Sequence, residues 1–470
     1  MYCTLGENTC TMRLSSTSVL LFFFFFSWCM GAAALGRLNT CVITEFGARA
    51  GNQTADAPHN AVAIQQALTS CELVIVPTGV FKFGPVSIPS NTTLWLETGA
   101  VLTGSDDWTH YLPAVHFMPP LGNSGTQPQM LQLTPLISAR DAVNITITGA
   151  NGTIDANGWF AWPSANWSSP ECGVHKRCAG PTYFGSAPQL MRPPHLLTFT
   201  HCTHTAVVNV TITNPSYWGL NHFFSNDTLM THVTMLAPRW TREIAGFMPF
   251  SVRGYTVKDS YVLVGDDAVA IMSGPDWVDP SGCNASVVCP VAPWSWPTSG
   301  VVFERLFVRG RSVAIGSEDF GNVTDVLFDD CTIGDDEGSA PWAFKVKMHS
   351  NVGCRVGDIT IRNTKFGRIA ANNWQDPGAD GGTAILIALS YNDGPINPFA
   401  PQPTCDNITF LNVSATATIA AGAFTGGLHP IQGLHFEQCA FRSTSPQPWR
   451  LVNVSAATCT SVDTTPPFPT

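Results

Sequence analysis

Charge is scarce in this chain. Asp, Glu, Lys and Arg together make up 12% of 470 residues, and lysine occurs only six times. Acidic residues number 33 against 23 basic ones, a net charge of −10, and no basic patch stands out along the sequence. A molecule so charged repels phosphate backbones and anionic lipid, so nucleic acid is excluded as a partner. Beyond the N-terminal segment no apolar run reaches the roughly 20 residues that span a bilayer. No long window shows the 3.6-residue periodicity of an amphipathic helix. Wholesale disorder is excluded as well, because 44% hydrophobic residues supply a core, and 40 glycines with 35 prolines fall short of a low-complexity composition.

What is present begins with a leader. Arg13 precedes an apolar run over residues 19–26, and Ala32, Ala33 and Ala34 follow. One positive charge, a short apolar stretch and a small-residue exit form a secretory signal, with cleavage expected after Ala34. The expected organisation is a signal over 1–34, one domain over 35–459 and a Pro/Thr-rich tail over 460–470. The product would be extracellular, free of the membrane after cleavage, and a monomer. Of 15 cysteines, Cys3, Cys10 and Cys29 leave with the signal, and the remaining 12 are an even set. In an exported chain an even set favours disulfides, so no free thiol is expected. Cys172 with Cys178, and Cys283 with Cys289, are spaced for two local staples. Asn-x-Ser/Thr acceptors recur, among them Asn52, Asn144, Asn209, Asn407 and Asn412. Several fall at repeat positions, where a structural role competes with a sugar.

The repeat sets the architecture. Short segments such as Asn209-Val210-Thr211-Ile212, Val233-Thr234-Met235-Leu236, Tyr255-Thr256-Val257, Val301-Val302-Phe303 and Asn322-Val323-Thr324-Asp325-Val326 share one look. Ile212 to Val233 is 21 residues, Val233 to Val257 is 24, and Phe303 to Val326 is 23. Brief strands at such a period are the signature of a solenoid. Leucine-rich repeats share the period but need a Leu-x-x-Leu-x-Leu spacing that is absent. The fold class predicted is all-β, a single-stranded right-handed parallel β-helix, with a short helix over residues 61–68 capping its N-terminal end.

Chemistry concentrates in three places. Gly265-Asp266-Asp267 sets two adjacent carboxylates just ahead of the apolar run Ala268-Val269-Ala270-Ile271, and Gly265 permits the bend that brings both to one face. Neighbouring carboxylates push their pKa values apart, which supplies an acid and a base at one pH. Asp335-Asp336-Glu337, between glycines and with no apolar strand after it, reads as an ordinary solvated turn. Further on, Arg311 falls in Arg309-Gly310-Arg311-Ser312-Val313-Ala314-Ile315-Gly316-Ser317-Glu318, and Phe344-Lys345-Val346-Lys347 places two scarce lysines around one valine. With Val346 inward, both lysines project from the same outer face and suit an anionic ligand. His201, His204, His222 and His232 read as turn or groove residues. Trp240, Trp277, Trp294 and Trp296 could form an aromatic wall for a sugar face, with loop packing the competing reading.

These motifs together resemble the polygalacturonase family of glycoside hydrolases, pectin-degrading right-handed β-helices. The resemblance runs from Val42-Ile43-Thr44-Glu45-Phe46-Gly47-Ala48 to about Tyr391 and includes Trp218-Gly219-Leu220-Asn221 and Leu236-Ala237-Pro238. It implies an inverting hydrolase with no cofactor or metal and an acidic polysaccharide as partner. Asp266 resembles the general acid and Asp267 a water-activating base. The family's substrate-binding Arg-Ile-Lys falls on Lys345-Val346-Lys347, and Tyr391 lies where a substrate-contacting tyrosine is expected. Two departures stand out. The family's Asn-Thr-Asp-Gly aligns with Glu243-Ile244-Ala245-Gly246, so its third Asp is Ala245, and Glu243 becomes the candidate auxiliary base. The family's Gly-His-Gly aligns with Gly310-Arg311-Ser312, which puts Arg311 where a histidine would be and adds it to the substrate-binding set. The alternatives are a polysaccharide-binding β-helix with impaired catalysis and a lyase on a similar solenoid, which would usually need Ca²⁺ held by a denser acidic cluster.

N-terminal sequencing of the exported product should begin near Leu35. A product that retains residues 1–34 would contradict the signal reading.

Overall fold

The computed structural model describes residues 38–116, 131–161, 191–275, 295–334, 340–350, 353–370, 382–391 and 402–465, apart from 240, 242, 418, 419 and 462. The expected signal, Cys172, Cys178, Cys283, Cys289, the Asp335-Asp336-Glu337 turn, Trp240, Trp277 and Trp294 lie outside those residues, as does the side chain of Glu318.

From Thr40 onward the chain forms one unit. It is a right-handed parallel β-helix, and its logic is an inward ladder. Val207, Met230, Val257, Phe303, Phe328, Ile361, Phe410 and Phe436 lie across from one another in register on successive parallel strands. All eight are buried. Phe303 stacks on Phe328 at 4.8 Å and Phe410 on Phe436 at 4.9 Å, so like packs on like up the stack. Alternating inward apolar and outward polar residues produce this arrangement, because side chains on a strand alternate between faces. Loops of different length leave the register untouched: 23 residues separate Val207 from Met230 and 46 separate Val257 from Phe303, yet each pair is in line.

Many corners of the coils, some of them inside the strands, hold Asn or Asp with left-handed backbone. Asn144, Asn407 and Asn412 have φ between 53° and 58°. Their side-chain amides donate to the coil below: Asn144 to Asn91 Oδ1 at 3.0 Å, Asn407 to Asp358 Oδ1 at 2.7 Å and Asn412 to Asn363 Oδ1 at 3.0 Å. Asn and Asp tolerate this conformation, and the stacked amides satisfy one another. These potential sugar acceptors therefore serve the fold.

The predicted capping helix exists and is longer, Ala57–Ser70. Pro58 sits in its first turn, where a missing N–H costs nothing. Asn60, Ala63, Ile64, Ala67 and Leu68 face the first coil. The Asn60 side-chain amide donates to Lys82 O at 2.8 Å, which fixes the helix on the stack. A disulfide joins Cys41 to Cys71 at the helix end.

Three expectations need correction. Among the described cysteines, Cys202, Cys331, Cys354, Cys405, Cys439 and Cys459 are thiols, so the chain is not fully disulfide-bonded. The first five are buried, and burial raises their thiol pKa, so they act as small apolar core residues. Next, the coil stack continues past residue 459, because the strand Asp463–Thr465 pairs with Ala440–Arg442. Last, His222 is neither a turn nor a groove residue. His201, His204 and His232 do lie at left-handed positions, but His222 points inward and stacks on Phe199 at 4.7 Å with neither ring nitrogen bonded.

Burial lowers the His222 pKa to about 3. A histidine whose folded pKa is depressed costs stability as pH falls below the unfolded value of about 6.5, because the unfolded chain takes up the proton first. His222→Leu removes that proton uptake, so the variant should gain about 2–3 kcal/mol on the wild type between pH 6.5 and 4.5. Thermal unfolding across that range tests it, and a pH-independent difference in Tm would refute it.

Candidate active site

The site lies on the outer face of the sheet that contains Leu197–Thr200, Leu220–Phe223, Phe247–Phe250, Val269–Pro275, Val313–Asp319, Trp342–Lys347 and Thr383–Ala388 in sequential neighbour order. Residues just ahead of these strands, or at the start of one, stack from coil to coil. Arg192 Nη1 donates to the Tyr217 hydroxyl at 2.6 Å, and that hydroxyl donates to Glu243 Oε2 at 3.4 Å. The Glu243 backbone N–H donates to Asp266 Oδ2 at 3.2 Å. Arg311 Nη1 lies 3.5 Å from Asp266 Oδ1, and its guanidinium carbon 5.2 Å from the Trp342 ring centre. One residue per coil, through its side chain or, at Glu243, also its backbone N–H, thus builds a continuous spine.

Close packing of the turns explains the glycines. A Cβ on Gly265 would lie 1.8 Å from Thr241 O, and one on Gly310 would lie 2.8 Å from Asp266 O. The chain bends at Gly265 and Asp266 as the sequence predicts, and Gly265 permits the close approach of two turns without a left-handed φ. The Arg311 N–H donates to Asp266 O at 2.8 Å and Ala268 N–H to Ser312 O at 2.9 Å, which locks the two turns together.

Asp266 and Asp267 have separate surroundings. The Asp266 side chain remains 17% exposed and accepts the Asp267 N–H at 2.8 Å in addition to Glu243 and Arg311. Asp267 is enclosed. Lys345 Nζ lies 3.0 Å from its Oδ1 and Lys347 Nζ 3.0 Å from its Oδ2, while the Ser312 hydroxyl also donates to Oδ1. Burial alone would raise the Asp267 pKa, but attraction to Lys345, Lys347 and Arg311 and the Ser312 bond outweigh it and hold the carboxyl far below the usual range. Burial is also the main cause that lowers Lys345 to about 7; Lys347 and Arg311 add to it and Asp267 opposes it.

Val346 points into the core, and both lysines are on the outer face, as their spacing requires. Lys345 is nevertheless 1% exposed, with its ammonium 4.5 Å from the Trp342 ring centre. Its ammonium is paired with Asp267. Lys347 is more open, at 13%, and lies 5.9 Å from the Tyr391 ring centre. Arg311 is 14% exposed. Ala245 packs with Tyr217, Trp218, Met248 and Met272 in an apolar cluster, so no carboxylate occupies that position. Trp296 is exposed and meets Phe224 edge-on at 6.2 Å. Among the described residues no group of three His, Cys, Asp or Glu could hold a metal ion.

The structure thus brings Glu243, Asp266, Asp267, Arg311, Lys345, Lys347 and Tyr391 onto one face. Sequence reasoning missed Arg192, Tyr217, Ser312 and Trp342. Tyr217 directly precedes the recognised Trp218-Gly219 pair and Trp342 stands three residues before Lys345, so position relative to a known motif was the available signal.

The sequence profile of glycosyl hydrolases family 28 matches residues 134–460. The chain belongs to family 28. It is 26% identical over 337 residues to a probable polygalacturonase from Vitis vinifera, covering 69% of this chain and 60% of that protein. A polygalacturonase from Ralstonia solanacearum is 25% identical over 461 residues, covering 84% and 80%. In three dimensions it is similar to an exopolygalacturonase from Thermotoga maritima, with a TM-score of 0.65, 18% identity, and 90% and 91% coverage. An endo-xylogalacturonan hydrolase from Aspergillus tubingensis gives a TM-score of 0.55 at 14% identity, covering 90% and 92%. The family 28 match extends beyond Tyr391 into the last coils.

The Asp267 arrangement makes a stability prediction. Asp267→Asn removes the counter-charge that Lys345 and Lys347 share and should cost about 3–5 kcal/mol in urea unfolding at pH 7. Lys345→Met leaves Asp267 with Lys347 and Ser312 and should cost less. An equal or reversed order would show that Asp267 does not hold the lysines.

Proposed function

We propose that this family 28 chain is a secreted glycoside hydrolase that cleaves a galacturonic-acid-containing pectic or related polysaccharide with inversion. The observation that carries the reading is the side-by-side placement of an open carboxylate, Asp266, and the cations Arg311 and Lys347 on successive coils of one face. The names of the relatives support the substrate class, and the leader over residues 1–34 supports export. Among the described residues no helix is long and apolar enough to cross a membrane.

In this reading Asp266 protonates the glycosidic oxygen. Arg311 and Lys347 attract uronate carboxylates locally, against the net charge of −10, and Tyr391 packs beside the bound sugar. An inverting enzyme must also deprotonate a water on the opposite face of the sugar. Asp267 suits that step poorly, since two ammonium groups and a hydroxyl already occupy its oxygens and a carboxylate held so far below its usual pKa is a weak base. Its role is to neutralise and place the lysines. Glu243 then takes up the water. The same observation favours a second reading, a polysaccharide-binding β-helix with impaired catalysis, because Ala245 removes one carboxylate and the lysines immobilise another.

A reducing-end assay across pectic polysaccharides, with a chelator control, separates these readings. Hydrolysis should survive chelator and give the inverted anomer in early NMR spectra. Asp266→Asn should lower the rate by about 10²–10⁴-fold while oligosaccharide binding persists. Binding without release of reducing ends, in the wild type, would establish the second reading, and an unsaturated product would show a lyase. Lys347→Ala should weaken binding of acidic oligosaccharides more than neutral ones, with the difference shrinking as salt rises. Equal loss for both would show that Lys347 only supports the structure.

A further inference from the structure

We infer that Arg192 and Tyr217 are positioning residues that hold Glu243 in place as the water-activating carboxylate, a role that rests on the hydrolase reading above. The three lie on consecutive coils, 25 and 26 residues apart, and continue into Asp266 a further 23 residues on. Arg192 and Tyr217 are buried, so neither is a casual surface contact. The Tyr217 ring packs nearly parallel to His195 at 5.7 Å and Trp218 at 5.5 Å, and those two rings also stack on each other at 5.2 Å. Burial, aided by the charge of Arg192, lowers His195 to about 3, so the ring beside Tyr217 is neutral and Arg192 carries the charge on that side of the hydroxyl.

The chemistry follows from donor order. Arg192 has only donors, so the Tyr217 oxygen accepts from it and the phenolic proton is directed to Glu243 Oε2. The Tyr217 hydroxyl thereby fixes the orientation of the Glu243 carboxylate through Oε2. The contact of 3.4 Å is long, as hydrogen bonds at such sites commonly are before substrate is bound. Glu243 also adopts φ of 60°, a left-handed backbone unusual for a residue other than Gly, Asn or Asp. Local strain of this kind persists where the surroundings over-determine it. Here the turn aims its N–H at Asp266 and its side chain at Tyr217, which joins the two carboxylates while Ala245 contributes none.

The test is a kinetic cycle on full-length enzyme with a pectic substrate, using Tyr217→Phe, Glu243→Gln and the double variant. Tyr217→Phe keeps the ring and its stacking, and a matching Tm will confirm that it folds. It should lower kcat by about tenfold, a fraction of the 10²–10⁴ that a positioned acid or base contributes, with KM little changed. Loss of a donor to the carboxylate should also move the acid limb of the pH profile upward, in a corner whose charged groups among the described residues include Arg192, Glu243, Asp266 and Arg311. In the Glu243→Gln background the same change should have no further effect. Arg192→Lys, which keeps a cationic donor, should retain more activity than Arg192→Met. If Glu243→Gln is fully active, the base assignment fails and the relay with it. If Glu243→Gln is inactive but Tyr217→Phe matches wild type, or in the single-mutant background lowers KM and kcat without moving the pH profile, the relay alone is overturned.

Discussion

In-register stacking of parallel coils is the constraint on which everything else depends. A strand in this solenoid has its own kind of residue above and below it, so a side chain's neighbours are set by its place in the coil rather than by nearby sequence. The inward column from Val207 to Phe436 keeps line through loops of very different length. Backbone hydrogen bonds between coils impose the alignment, and apolar burial along the column rewards it. The Asn and Asp turns repeat the same principle with amides instead of methyl groups.

The same stacking makes a site from residues far apart in the chain. Arg192, Tyr217, Glu243, Asp266, Arg311 and Trp342 come from six coils, yet each touches the next. Spacing between coils is close to the reach of a hydrogen bond between aligned side chains, so a column of polar turn residues becomes a chain of donors and acceptors. Charge balance then divides the labour. Asp267 sits deep and is matched by Lys345 and Lys347, a pairing that lets buried charges persist without neutralising. Asp266 sits nearer solvent and keeps contacts that a reacting group can exchange.

The fold was legible because its signal is repeated. Short β-rich segments at 21 to 24 residues allow few architectures, and one coil misread leaves the rest intact. The lysine pair around Val346 was equally legible, since alternation along a strand puts both on one face. The surroundings of Lys345 were not: whether an outward lysine meets a carboxylate of the protein depends on a coil two steps earlier. His222 shows the same limit from the other side. Its strand position is inward, but a histidine reads as polar, and only the stack against Phe199 reveals it in the core.

By itself the sequence determined the period, the parity of each strand residue and the presence of two carboxylates followed by scarce cations, because these are local patterns that the backbone converts directly into geometry. It also determined family membership through residues 134–460. Tertiary structure alone decided which carboxylate is open and which is held, since burial and ion pairing arise between coils 45 to 80 residues apart. It decided as well that Arg192 and Tyr217 join the site and that six of the described cysteines remain thiols. Contacts of that separation leave no trace in local spacing, and the loops inserted between coils erase the simple count that would have aligned them.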